Sequence, residues 1–364
     1  MFHDLYKLVG HEVDVTLFKG GGPTSAREKV PVFLPRNGRV LTTVPLHALF
    51  GRSPIHAECL TYALGLLPHL WRGDFDVLHC IDPPLTRVMF KLRRLLGLRF
   101  RLLYTHGVTM PPGDYPPADH LHHVAIGPHA EALEAGIAAD SMTVVPCGFY
   151  PERFEVQASK QALRQAHGVA HDTFVILSVA ALNRGHKRSH HLIDEAAQLD
   201  GNFLLWLDAS MDQGEPDLIE HARQRLGARC KISHVPSAQV GELYRMADVF
   251  AHASVFESFG LSIVEAASTG LPVLIHDAPH FRWLVPQPGA WVDMTAPGAL
   301  AQRWRALMAD RSQLAALGAA GQVRARFSWH QLRADYVALY HHVAGLPQAG
   351  QGGPRVNFYG QLHG

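Results

Sequence analysis

The chain has 364 residues, 47% of them hydrophobic, with Lys+Arg 33 against Asp+Glu 32 and a formal net charge of +1. That length exceeds one ordinary core and suits two domains, while the balanced charge gives no electrostatic case for nucleic acid. The sequence contains neither an apolar run long enough to span a bilayer nor a basic-plus-apolar leader, so no membrane span or signal peptide is expected.

Met1 to Leu8 reads as the end of an amphipathic helix, and Gly10 to Leu17 (GHEVDVTL) as a strand closed by a Gly20-Gly21-Gly22 turn. Val30 to Leu34 reads as a short edge strand, because Pro31 lacks a ladder N–H. Ala57 to Leu70 has a helical pattern, and Phe75 to Cys80 is a buried strand carrying His79, read as a core histidine. Thr86 to Leu96 is a helix with Lys91, Arg93 and Arg94, followed by Arg99 and Arg101. We read this basic face as solvated, with weak peripheral contact to an anionic membrane surface as the alternative. Phe100 to Tyr104 is the next strand, running into Thr105-His106-Gly107 and leaving His106 at its carboxyl end, facing the cleft. His122 to Gly127 and Thr143 to Pro146 read as the last two strands of the first domain.

Gln157 to Ala170 is polar and helical and is read as containing the linker; Phe174 to Ala180 then starts a fresh sheet with a continuous apolar run. The expected organisation is therefore an α/β chain with a first domain over 1–156, a linker over 157–170 and a second domain over 171–327. A closing helix over 328–345 and a Gly-, Pro- and Gln-rich tail over 346–364, read as disordered, complete it. Asn202 to Leu207 and Cys230 to Ser233 are strands, and Glu242 to Asp248 is a helix. Val249 to Ala253 reads as a buried parallel strand, Glu257-Ser258-Phe259-Gly260 as a loop, and Leu261 to Ser268 as a helix with Ile263, Val264 and Ala267 inward. Gly270-Leu271-Pro272 stops that helix and Val273 to Ile275 begins the next strand. Ala299 to Met308 and Gln313 to Arg326 read as amphipathic helices, and Gln331 to Val343 as the last helix.

The unit around Glu257 concentrates the chemistry. Glu257 stands at the carboxyl end of a strand, where open α/β sheets place ligands. The amides of Ser258, Phe259, Gly260 and Leu261 lead into the helix, whose start favours an anion such as a phosphate. Gly260 lets the backbone approach closely, and Glu265 lies just over one turn into the helix, in reach of a second part of the same ligand. Two carboxylates for hydroxyls and amides for phosphate form a cradle suited to a sugar nucleotide. The four cysteines, Cys59, Cys80, Cys147 and Cys230, are far apart and read as reduced, mostly buried thiols of a cytoplasmic protein. The 25 histidines form no HExxH or clustered ligand pattern, so no metal site is expected.

Glu257 and Glu265 inside ESFGLSIVEAASTGLPV, with Ala247-Asp248-Val249-Phe250 before them, resemble the signature of retaining glycosyltransferases of the GT-B fold, family 4. The resemblance implies two Rossmann-like parallel-sheet domains facing across a cleft, with Glu257 on the donor sugar, Glu265 on the nucleotide ribose and the intervening amides on sugar and diphosphate. It further implies that His106 approaches the donor sugar and that Pro146 to Phe154 (PCGFYPERF) leads into the hinge. Phe327-Ser328-Trp329 resembles the start of the helix that crosses back to the first domain. In that family GHEV begins the second strand, so the first domain is expected to lack its first strand and Gly-rich loop. The diphosphate cations fall in Ala181 to Arg188: Lys187 matches the family's lysine, Ala181 stands where its arginine is usual, and Arg184 is the displaced replacement. The expectation is a metal-independent enzyme without a resident cofactor, moving a sugar from a nucleotide donor, a UDP- or GDP-sugar, to an acceptor hydroxyl left open. A truncated non-catalytic nucleotide-sugar binder, and a sugar-nucleotide epimerase or hydrolase on the same fold, are the alternatives.

Overall fold

The computed structural model describes residues 2–35, 38, 53–209, 215–318 and 320–345. The expected disordered tail, 346–364, lies outside them. The described chain opens with α1 (Phe2–Val9), after which β1 (Leu17–Phe18) pairs in parallel with β2 (Glu28–Lys29). The strand expected over Gly10 to Leu17 is thus almost absent. Its first amides are used elsewhere, since Gly10 N bonds Tyr6 O and both Glu12 N and Val13 N bond Val9 O, closing the helix instead of joining a ladder. The expected edge strand at Val30 to Leu34 is likewise unpaired chain; Leu34 N bonds the Thr61 hydroxyl on α2 (Pro54–Arg72).

The first main sheet places β3 (Val77–Cys80), β4 (Arg101–His106), β5 (His120–His123) and β6 (Met142–Val144) side by side in chain order, all parallel. Helix α3 (Pro83–Leu96) joins β3 to β4, and α4 (Ile126–Glu134) joins β5 to β6. Asp82 caps α3 by accepting from Leu85 N, and Gly97 ends it with a left-handed φ of 63°. The basic face of α3 is partly tied down: Arg93 pairs with Asp119 and also donates to Phe100 O.

The second sheet has the order β12-β11-β10-β7-β8-β9. In chain order it comprises α5 (Lys160–Ala166), β7 (Phe174–Val179), α6 (Ser189–Ala196), β8 (Phe203–Asp208), α7 (Asp217–Leu226), β9 (Cys230–Ser233), α8 (Val240–Met246), β10 (Val249–Ala251), α9 (Leu261–Ser268), β11 (Val273–His276), α10 (Pro279–Leu284) and β12 (Trp291–Val292). Alternate residues of β7 feed opposite faces: Val175 and Leu177 join one core, Phe174 and Ile176 the other. Burial on both faces is why this strand reads as an unbroken apolar run. Beyond it lie α11 (Ala299–Ala309), α12 (Ser312–Ala316), α13 (Ala320–Phe327) and α14 (Trp329–Ala344). The single helix expected over Gln313 to Arg326 is two, because α12 ends at Ala316 with Leu317 and Gly318 following outside it.

Residues 157–170, read as polar, helical and containing the linker, hold α5, whose Arg164 is a core group. The Arg164 guanidinium donates to Asp248 (2.6 Å) and to the carbonyls of Met246, His171 and Thr173. Asp248 also accepts from Lys160 (2.7 Å) and from Val175 N (2.8 Å). Burial alone would raise the Asp248 pKa, but the bonds and charges of Lys160 and Arg164 and the Val175 amide outweigh it and hold it low. The Asp of the Ala247-Asp248 pair therefore pins α5 to the edges of β7 and β10.

Two chain crossings connect the sheets. Phe149 N bonds Phe327 O and Trp329 N bonds Phe149 O, forming a parallel bridge between Phe149 and Ser328. Gly148 is needed there, as a Cβ would stand 2.3 Å from the Trp329 ring. Helix α14 then lies on the first sheet through a polar chain. His122 Nε2 donates to Val145 O, a pure acceptor, so its Nδ1 accepts from the Thr105 hydroxyl. Thr105 in turn accepts from His79 Nε2, leaving His79 Nδ1 to accept from Tyr340 OH of α14. Both rings are neutral in this chain; burial depresses the pKa of His79 well below its ordinary value and that of His122 to about 4.

Asp248→Ala leaves Arg164 and Lys160 without their counter-charge and is expected to cost on the order of 3–5 kcal/mol, read from urea unfolding. The imidazole chain sets an acid limit. An unfolded imidazole titrates near pH 6.5, whereas folded His122 resists its proton until about pH 4, so the unfolded state binds more protons between those values. Its stability contribution is complete above about pH 6.5 and is lost as pH falls toward 4. The thermal midpoint is expected to drop across that window; a flat profile would contradict the relay.

Candidate functional site

The strand order reverses between β7 and β10: the chain runs from β7 outward to β8 and β9, then returns to β10 on the other side of β7. At such a switch point the loops leaving the two strands diverge and open a crevice at their carboxyl ends. One loop carries Lys187 and the other Glu257. The first is wound tightly, with Asn183 accepting from Lys187 N and its carbonyl from Ser189 N, and Leu182 buried beneath. Arg188 takes a left-handed φ of 51°, unusual for a residue with a Cβ.

The switch point brings the two side chains into contact: Lys187 Nζ lies 2.6 Å from Glu257 Oε1. His252, one residue past β10, donates Nε2–H to the same oxygen at 2.7 Å. His186 Nε2 lies 3.6 Å from Oε2 and bonds Phe256 O. Glu257 is only 5% exposed, and burial alone would raise its pKa; His252 and Lys187 outweigh that and hold the carboxyl well below the usual range. With both donors in place the carboxylate is held ionised.

Beyond Glu257 the backbone turns into α9 at Gly260, whose φ of 100° is left-handed. A Cβ there would meet Ile263 at 3.0 Å and Leu284 at 3.2 Å. No side chain caps α9, whose start favours an anion, although the Ile263 amide bonds Gly260 O. Ser258 is partly buried, Leu261 is exposed at the helix start, and the Phe259 ring is buried against Trp283 and Phe327. Phe259 therefore contributes its backbone to the crevice, and its carbonyl accepts from His280 of α10. Glu265, one turn on, faces a cavity of about 170 Å³ lined also by Asp4, Tyr150, Arg153 and Leu261. Burial raises its pKa, against the opposing hydrogen bond from Tyr244 OH.

Two of the expected residues stand apart from this cluster. Arg184 is turned toward α7, where it pairs with Asp217 (2.6 Å) and Glu215 (3.5 Å). His106 ends β4 in the other sheet, buried against Tyr115 and His123 with centroids at 4.6 and 5.5 Å. Burial pushes its pKa down to about 4, and its Nε2 has no hydrogen-bond partner among the described residues. The two domains approach where Gly127 of α4 lies beside His280 of α10. Sequence reasoning missed His252, Tyr244, Arg153 and His280. His252 carried a usable signal, being a histidine at the carboxyl end of a parallel strand, the same placement that singled out His106.

Residues 159–324 match the family of glycosyl transferases group 1. The second domain is a group 1 glycosyl transferase domain. A D-inositol 3-phosphate glycosyltransferase of Corynebacterium urealyticum is 28% identical over 252 residues, 64% of this chain and 59% of that protein. The alignment therefore spans less than two thirds of that relative. Sucrose-phosphate synthase of Thermosynechococcus elongatus superposes with a TM-score of 0.70 at 20% identity, over 80% of this chain and 79% of that one. Anabaena HepE, solved with UDP and glucose, gives 0.65 at 21% identity over 86% and 85%. These likenesses establish the GT-B fold: two parallel-sheet domains, the group 1 domain being the second.

Gly260→Ala forces a side chain into left-handed backbone at the mouth of the group 1 domain. It is expected to cost about 1–2 kcal/mol, seen as a lowered urea midpoint with an unchanged slope.

Proposed function

We propose that the chain is a retaining glycosyltransferase of family 4, moving a sugar from a nucleotide-diphosphate donor to an acceptor hydroxyl. The observation that carries this reading is the contact between Lys187 and Glu257 across the switch point, beside an uncapped helix start. A cation, helix-start amides and an ionised carboxylate within one crevice match a pyrophosphate joined to a polyhydroxylated ring.

In this reading the diphosphate lies against Lys187 and the amides from Ser258 to Leu261, Glu257 accepts hydroxyls of the donor sugar, and Glu265 accepts those of the ribose. Departure of the nucleotide is helped electrostatically, since the groups facing the developing phosphate charge are already oriented. The acceptor attacks on the face from which the nucleotide leaves, and a phosphate oxygen takes its proton, so configuration is retained without a covalent enzyme intermediate. Glu257 orients the sugar. His106 completes the cleft from the other domain on closure. Arg184 would have to leave Asp217 and Glu215 to join the phosphates.

The donor is a substrate rather than a resident cofactor, and UDP or GDP is its nucleotide; the UDP-bound Anabaena relative supports the first. No helix among the described residues is long and apolar enough to cross a membrane.

UDP, GDP and ADP compared at equal excess should raise the thermal midpoint unequally, the largest rise marking the donor nucleotide. Lys187→Ala is expected to weaken that nucleotide by about 10–100-fold, as one charge-assisted contact implies; a change within about twofold would remove the phosphate assignment. Binding without turnover across an acceptor panel would favour a non-catalytic homologue, and donor consumption without acceptor an epimerase or hydrolase.

A further inference from the structure

Resting on the donor-site reading above, we propose that His252 is the positioning residue of the site: a fixed post that keeps Glu257 aimed at the donor sugar when Lys187 turns to the diphosphate. Lys187 and His252 both bond the same oxygen of Glu257, at 2.6 and 2.7 Å. The two contacts duplicate each other on that oxygen. They differ in how they are held.

Lys187 sits on a loop, is the partly exposed member, and reaches Glu257 through a flexible stem. A pyrophosphate arriving at the start of α9 offers its ammonium a stronger partner than a carboxylate already hydrogen-bonded elsewhere. His252 has no such freedom. Its backbone N is bonded to Leu274 O in β11, its ring is 1% exposed, and it lies parallel to the Phe250 ring at an interplanar angle of 10°. Its Nδ1 has no hydrogen-bond partner among the described residues. Nε2–H therefore serves the Glu257 contact alone among the described residues.

The two oxygens of Glu257 are consequently divided. Oε1 belongs to the protein through His252; Oε2, with His186 Nε2 3.6 Å away, is the one offered to a sugar hydroxyl. Without His252, release of Lys187 would leave a 5% exposed carboxylate with no bond on Oε1, and it would rotate or take up a proton.

The test compares binding of a nucleoside diphosphate with that of its sugar conjugate, using UDP and UDP-glucose, GDP and GDP-mannose, and ADP and ADP-glucose in calorimetry. His252→Leu should bind the preferred nucleoside diphosphate within about twofold of wild type, while the affinity of the sugar conjugate relative to it falls about tenfold or more. His252→Gln places an amide N–H near the position of Nε2 and should recover most of that loss; His252→Asn, too short to reach Glu257, should not. Where the Leu variant fails to fold, the Asn and Gln pair decides. Lys187→Ala should do the reverse, losing the nucleoside diphosphate itself. The proposal is overturned if His252→Leu and His252→Asn keep the wild-type ratio, or if Gln and Asn lose it equally, which marks a purely structural ring. If the wild-type chain binds none of the three nucleoside diphosphates, the functional reading fails first and takes the proposal with it.

Discussion

A buried carboxylate at a sheet reversal is the constraint from which the rest follows. Glu257 is almost fully enclosed, and a carboxylate in that position stays ionised only if the fold supplies donors at close range. The strand order supplies them. Because β10 returns to the far side of β7, the loop carrying Lys187 and the strand end carrying His252 converge on one oxygen. A simple meander of strands would have kept those loops apart.

The scaffold around this point is rigid for identifiable reasons. The Asp248 cluster locks α5 to the strands on which both loops depend, so the amino end of β10 is held as firmly as its carboxyl end is loaded with chemistry. Phe259 anchors its ring under Trp283 and Phe327, which frees its backbone to line the crevice. Gly260 lets the chain turn from that anchor into α9 without a Cβ in the way. Apolar burial beneath and polar backbone above are two aspects of one loop.

The two sheets are joined economically. A single bridge at Phe149 and Ser328, packed tightly around Gly148 and Trp329, carries both crossings. Helix α14 then returns to the first sheet through the neutral imidazoles of His79 and His122 and the hydroxyls of Thr105 and Tyr340. His79, read from the sequence as a core histidine, belongs to this structural chain. His106 ends the neighbouring strand in a different environment, against Tyr115 and His123, with one ring nitrogen uncommitted.

What the sequence determined by itself was local. The apolar run of β7, the limits of α9 from Leu261 to Ser268 and the placement of Glu257 and Glu265 at its start were all legible, because periodicity, glycine and helix-start chemistry act over a few residues. Misreadings arose where a distant partner competed for the same groups. Gly10 to Leu17 had the alternation of a strand, yet its amides close α1; the polar helix over 157–170 was legible, but not that its Arg164 meets Asp248 from 84 residues away. The tertiary structure alone decided that Lys187 and His252 share an oxygen of Glu257 while Arg184, three residues before Lys187, turns to Asp217. Side-chain direction within a loop depends on which charges the fold brings near, and spacing along the chain does not encode that.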